Sequence, residues 1–414
     1  MLMSMSSRTR VGHLALLLAM LVSPRVAHAQ LTATPYVGVQ GEYNSNVLSV
    51  SSRQQSIVES GGSERSDRDV RYRAGILVNE KFGRQEIYAS GEGRRIDYDR
   101  LSNLDHDEYL YGAGLKWMIV DRLTGHVDLR QERRMAPFAD RLSSQLTLER
   151  DRVASGDAKL ALGSDWSIKA ALRNHQLDSP IDAVPDFALS ETAATLSSNY
   201  SGFGKLEVGV LGEYVDGKYR GGPDPDRFKQ LTYDLTAEYT VSGLSSLDAK
   251  LGYTTRSDHG PAGGSLSGYT GSFGYQRKFS IKTDARVQAF RRVSSYAAAA
   301  SSIIETGATA QMNWRLTERI ALALDYSWVR SVFKASTATG AESNPASNQG
   351  RSDRYQLTAL KLSYRPFDRL WLLAYGNYAD RRSSIDVAGY NAGIAGLEAR
   401  FALGHIPTTM PGSQ

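Results

Sequence analysis

Histidines, acids and nucleophiles are where catalysis would begin, and in this sequence they do not assemble. Of seven histidines, His13 and His28 lie in an apolar N-terminal stretch. His106 stands in Asp105-His106-Asp107 and His259 in Ser257-Asp258-His259-Gly260, so each has the carboxylate neighbours that a dyad or metal site uses. The commoner fate of a polar loop histidine beside acids is simple solvation. No G-x-S-x-G or H-E-x-x-H occurs, and with no cysteine there is no thiol nucleophile. The segment Gly221-Gly222-Pro223-Asp224-Pro225-Asp226 lacks the ligand spacing of a calcium loop. The sequence therefore predicts no enzyme, with no catalytic residue, metal site or cofactor.

The charged residues that do form a pattern recur at every second position. Arg94, Lys116, Arg130, Arg134, Lys159, Lys169 and Arg173 share a parity with the acids Glu92, Asp128, Glu132 and Asp157 along their stretches. In an extended chain that parity sends them to one face. Two kinds of chemistry follow. Charges that meet across strands make a ladder that solvates a wall. Bases that outnumber their acids make a track that favours anionic cargo, as charged rings do in pores. The seven bases together with Asp128 and Glu132 are the nine candidate translocation residues.

The element that positions such a face is visible at Leu231–Val241. Odd positions there are apolar or aromatic and even positions polar, and after Ser242-Gly243-Leu244-Ser245-Ser246 the pattern resumes at Leu247. This is an antiparallel hairpin with one greasy face and one wet face. The same pattern recurs about 18 times, from Thr34–Leu48 to Gly389–Phe401. Connections alternate between short ones, such as Phe82-Gly83 and Val120-Asp121, and long ones, such as Ser49–Asp67, Met135–Leu148 and Lys334–Ser352. One-sided loop lengths of this kind predict an all-β fold, a transmembrane antiparallel up-and-down β-barrel of about 18 strands with its short turns periplasmic. A barrel of about 16–18 strands encloses an aqueous channel.

Other features agree. Arg8 and Arg10, the apolar run Leu14–Val22 and Ala27-His28-Ala29 predict a secretory signal peptide over residues 1–29. The barrel is expected over 30–403, with a polar tail over 404–414. The formal charge of +5 falls to +2 once Arg8, Arg10 and Arg25 are set aside, and acids and bases interleave throughout. That excludes a nucleic-acid footprint. Leu206, Val208, Val210, Ile320, Leu322, Leu324, Tyr326, Trp328, Leu397, Ala399, Phe401 and Leu403 are expected to face lipid. His126, Lys169 and His175 are expected to face the lumen. Trp117, Trp166, Phe203, Phe279, Trp314, Phe367 and Trp371 flank short turns, where rings at headgroup level are expected.

Thr34-Pro35-Tyr36-Val37-Gly38-Val39 and Tyr43-Asn44-Ser45-Asn46-Val47 open the first strand, and Leu115–Gly125 carries Trp-turn-Leu-x-Gly. A basic strand and Met135-Ala136-Pro137-Phe138-Ala139-Asp140 follow. On these segments the chain resembles the EpsL-type outer-membrane barrels of exopolysaccharide operons, over essentially its whole mature length. The resemblance implies export of a secreted exopolysaccharide through the outer membrane of a Gram-negative bacterium. It also implies work with a periplasmic polysaccharide-export protein and the synthesis complex. No catalytic residues come with it. A general solute porin is the alternative, for which Ser49–Asp67 or Met135–Leu148 would fold inward as a constricting loop. A barrel hydrolase or a non-transporting scaffold is the more remote one.

Overall fold

The computed structural model describes residues 31–51, 65–140, 145–179, 187–220, 227–259, 264–296, 301–334, 351–385 and 388–404. The expected signal peptide and all of the expected tail after residue 404 lie outside the described residues. Alternation along the sequence becomes eighteen strands: β1 (Thr32–Asn44), β2 (Asp67–Phe82), β3 (Gln85–Tyr98), β4 (His106–Val120), β5 (Leu123–Met135), β6 (Leu148–Leu162), β7 (Trp166–Ser179), β8 (Phe187–Phe203) and β9 (Leu206–Arg220). They continue as β10 (Arg227–Ser242), β11 (Ser245–His259), β12 (Gly264–Ser280), β13 (Thr283–Tyr296), β14 (Ser301–Arg315), β15 (Ile320–Lys334), β16 (Ser352–Phe367), β17 (Leu370–Ser383) and β18 (Tyr390–Ala402).

Every strand pairs antiparallel with its neighbour in sequence, and β1 pairs with β18 from Tyr36↔Ala402 to Asn44↔Ile394. The sheet is thus a closed up-and-down barrel with no free edge. Its outer face is apolar: Leu235, Leu251 and Leu397 are 63%, 64% and 69% exposed in the isolated chain. A belt of such residues is costly in water and stable in hydrocarbon, and a closed barrel leaves no backbone group unpaired there. The molecule is an outer-membrane barrel, crossing with strands.

Short turns tighten where sequence allows it. Gly83, Gly163 and Gly204 take the left-handed conformation, with φ of 59°, 75° and 71°, which side chains resist. Beside the short turns, Trp166 packs at a tilt against Tyr200, with ring centroids 4.8 Å apart, and Phe203 meets Tyr200 edge-on at 4.9 Å. Toward the other end Tyr72, Tyr233, Tyr253 and Tyr269 stand exposed on the outer face. From Tyr269 to Phe279 is ten residues, about 34 Å along a strand and about 25 Å in height at barrel tilt, which is the apolar band of an outer-membrane barrel.

Trp371 departs from the expected girdle. It pairs with Arg400 and shares parity with inward Tyr375, and it packs against Tyr36, Leu77 and Ala402 inside the barrel. Leu370-Trp371-Leu372-Leu373 is apolar at every position, so alternation does not set its faces. The first strand also ends at Asn44, before the expected Leu48, because Ser45–Val47 turn inward.

Orientation is testable directly. A tag inserted between β15 and β16 should react with an impermeant reagent on intact cells, and one in the turn between β10 and β11 should react only after lysis. Reaction at both sites, or at the short turn alone, would invert or abolish this orientation.

Candidate translocation lumen

Parity and register place all nine candidate residues on the inner wall. Gly114 pairs with both Tyr88 and Asp128, which fixes the inward rows of β3, β4 and β5. Tyr88 occupies the space that a Cβ at Gly114 would fill and donates its hydroxyl to Asp128. The bases do not stand alone. Arg94 pairs with Glu92 and lies 3.5 Å from Glu108; Lys116 lies 3.5 Å from Glu86. Arg130 Nη2 donates to Glu132 at 2.8 Å, and Arg134 Nε to Glu149 at 2.8 Å. Lys169 pairs with Asp157, and Arg173 is 4.0 Å from Glu191. Lys159 makes no ion pair among the described residues. Its neighbours across the ladder are Thr124 and Lys169.

The histidines join the same ladder. His126 Nδ1 lies 2.6 Å from Asp157, and His175 bridges Asp151 (3.1 Å) and Glu191 (3.3 Å). His106 is not solvated as its loop-like context suggested. It begins β4 with its ring buried, Nδ1 2.6 Å from the Leu104 carbonyl and Nε2 3.2 Å from Glu108. His259 ends β11 exposed. Among the described residues no group of three potential ligands is arranged to hold a metal ion.

A denser network escaped the sequence reading. Across the β18–β1–β2–β3 seam, Arg73 lies 3.3 Å from Glu398 and 3.9 Å from Glu92, while Arg400 also pairs with Glu398. Tyr36 donates to Glu92 at 2.6 Å, and Arg71 Nη2 to Glu42 at 2.6 Å. The signal was present in same-parity Asp69, Arg71 and Arg73 and in Glu398 and Arg400, on strands that meet only when the barrel closes. The Tyr43–Val47 segment also belongs to this seam. Ser45 N–H donates to the Gly393 carbonyl at 2.9 Å, and Asn46 Nδ2 to the Asn391 carbonyl at 2.9 Å.

At the long-loop end the lumen is narrowed. Val47, Leu48, Val50, Leu104 and Phe138 come from connections and pack on inward Ile96 and Tyr98. Phe138 lies in the connection between β5 and β6. The adjoining Ala139 carbonyl accepts a hydrogen bond from Arg381 of β17 at 3.0 Å. Five strands of wall, β18 and β1 to β4, separate β17 from β5, so this connection crosses a chord of the mouth. It belongs to Met135–Leu148, one of the two segments that would fold inward in a porin; residues 141–144 of it lie outside the described residues.

No protein-family model matches the chain, and no curated protein matches it. Similar solved structures include OccK2 (OpdF) from Pseudomonas aeruginosa, 11% identical with a TM-score of 0.47 over 90% of this chain and 98% of that one. The outer membrane protein OpdK of the same organism is 12% identical, with a TM-score of 0.46 over 90% and 98%. The ferric enterobactin receptor PfeA of P. aeruginosa is 8% identical, with a TM-score of 0.44 over 91% and 81%. From its own geometry, a closed eighteen-strand barrel with an apolar belt and a polar, charge-paired interior, the chain is an outer-membrane β-barrel.

Proposed function

We propose that the barrel exports a secreted exopolysaccharide across the outer membrane, receiving it from a periplasmic polysaccharide-export protein. The observation that carries this reading is the inner wall. Apart from Lys159, its candidate bases are already matched by acids, so a long hydroxylated chain meets many weak contacts and few strong traps. Conduction of any cargo needs such weak, repeated sites. The resemblance of the first strand to exopolysaccharide-operon barrels supports the same cargo. Deleting the gene should move polysaccharide from the cell surface to the periplasm.

A general solute porin is the second reading, favoured by the inward connection that Arg381 holds through Ala139. Liposome swelling separates the two. A porin admits mono- and disaccharides at high rate, and its loss leaves surface polysaccharide unchanged. Retained surface polysaccharide in the deletion strain would overturn the export reading.

A further inference from the structure

The opposite wall of the lumen is built differently from the charge ladder. At mid-depth, inward side chains from β9 to β15 surround a recess of about 510 Å³, within the roughly 300–1,000 Å³ range of small-molecule sites. Gln230, Gln288, Thr309 and Ser327 line it half-buried, and among the described residues none has a side-chain hydrogen-bond partner. Behind them a chain of hydroxyls is already satisfied, Thr232 to Thr254 at 3.0 Å and Thr254 to Thr270 at 3.2 Å. The uncommitted groups are amides and hydroxyls, each able both to donate and to accept.

Phe290 adds an apolar ring to this polar recess. It stands inward on β13, occupying space over Gly307, with the Arg292 guanidinium 4.8 Å from its centroid. Lys250 and Arg292 are each held by an acid, and Arg291, which reaches the recess from an outward position of β13, donates to the Tyr269 carbonyl and the Thr306 hydroxyl. The inward acids Glu213 and Asp234 face the bases Lys250 and Arg292. Lys250 lies 2.7 Å from buried Asp234, and Arg292 donates to Glu305 at 2.7 Å. An acidic sugar entering here finds both inward bases already paired with acids, so its own desolvation goes largely uncompensated. A neutral sugar offers ring C–H faces to Phe290 and hydroxyls to the free amides.

We infer that this recess is a binding subsite for a neutral saccharide segment, so that the cargo selected at mid-lumen is an uncharged glycan. The inference rests on the reading of the barrel as a saccharide passage. The test is single-channel recording on the purified full-length barrel, with maltoheptaose as the neutral probe and an oligogalacturonate of equal length as the acidic one. Maltoheptaose should interrupt the current in brief blocks, and the acidic oligomer should do so at least tenfold more weakly. Gln288→Leu and Phe290→Leu should each weaken the maltoheptaose block by about three- to tenfold, the worth of one hydrogen bond or one ring contact. Both variants are to be shown folded by retained heat-modifiable mobility on a gel. Thr124→Val, on the charged wall, should leave the block unchanged.

Equal or stronger block by the acidic oligomer, no block by maltoheptaose, or unaltered block in both folded variants would each overturn the subsite. These outcomes are independent of the deletion phenotype. Export lost without saccharide block removes the subsite and keeps the export channel; block with export intact removes the channel reading and keeps the subsite.

Discussion

Asp353→Ala should raise single-channel conductance and cost the long-loop end about 3–5 kcal/mol, the usual loss when one partner of a buried ion pair is removed. Asp353 begins the inward row of β16 and accepts from Arg351, Arg381 and Ser383 at 2.7, 2.7 and 2.6 Å. The two arginine side chains are only 5% and 9% exposed. Without the shared carboxylate they remain close together as like charges in a poorly hydrated place. Arg381 is also the donor that holds the Ala139 carbonyl, so its displacement frees the connection that crosses the mouth. Arg381→Ala should open the mouth with a smaller loss of stability, because Asp353 keeps Arg351. Adding Phe138→Ala, which removes the apolar anchor of the same connection, should increase conductance further in either background. Planar-bilayer recording checks this, with thermal unfolding in detergent for the stability. Conductance equal to the parent protein in all four variants would mean that this connection does not narrow the pore.

Local alternation carried most of the fold. Leu231–Val241 alternates without exception, so the inward placement of Thr232, Asp234 and Thr236 followed from parity alone. Each expected strand is present, with ends within a few residues. Parity failed at Leu370–Leu373, where four consecutive apolar residues hide the period and Trp371 turned out to face inward. The site was legible only in part, for a related reason. Parity says which side chains face the lumen, but not which meet across it. Arg73 and Glu398 are neighbours only because β1 lies between β2 and β18 after closure. The contact of Arg381 with Ala139 depends on a loop path that no periodicity encodes. Likewise, the bases of the first half other than Lys159 carry their partners on the same or an adjacent strand, and a count of charges in sequence does not reveal that pairing. The uncommitted amides and hydroxyls of the recess carry no charge to mark them; Gln230, Gln288 and Ser327 resemble ordinary wet-face residues until β10, β13 and β15 curve around a common space.

The largest effect on assembly is expected from Leu324→Arg. Leu324 lies near the middle of β15 on the outer face, 41% exposed, opposite Met312 of β14 and Leu360 of β16. An arginine there at mid-depth costs roughly 2–4 kcal/mol, less whatever it recovers by reaching toward the headgroups. The neighbouring outward side chains are apolar and offer no carboxylate, so nothing nearby offsets that cost. Thr236→Arg introduces the same charge on β10, opposite Gly209 and Lys250 and on the inner face. Water reaches that face, and Asp234 and Glu238 share its row, so the repulsion from Lys250 is largely screened. The expected result is a heat-modifiable barrel band that is weakened or lost for Leu324→Arg and near normal for Thr236→Arg. Leu324→Ala, which removes bulk without adding charge, should resemble Thr236→Arg, since outward side chains contact fluid lipid and leave no rigid cavity behind. Equal loss for the two arginine variants would overturn the assignment of faces, and with it the lipid-facing belt on which the membrane reading stands.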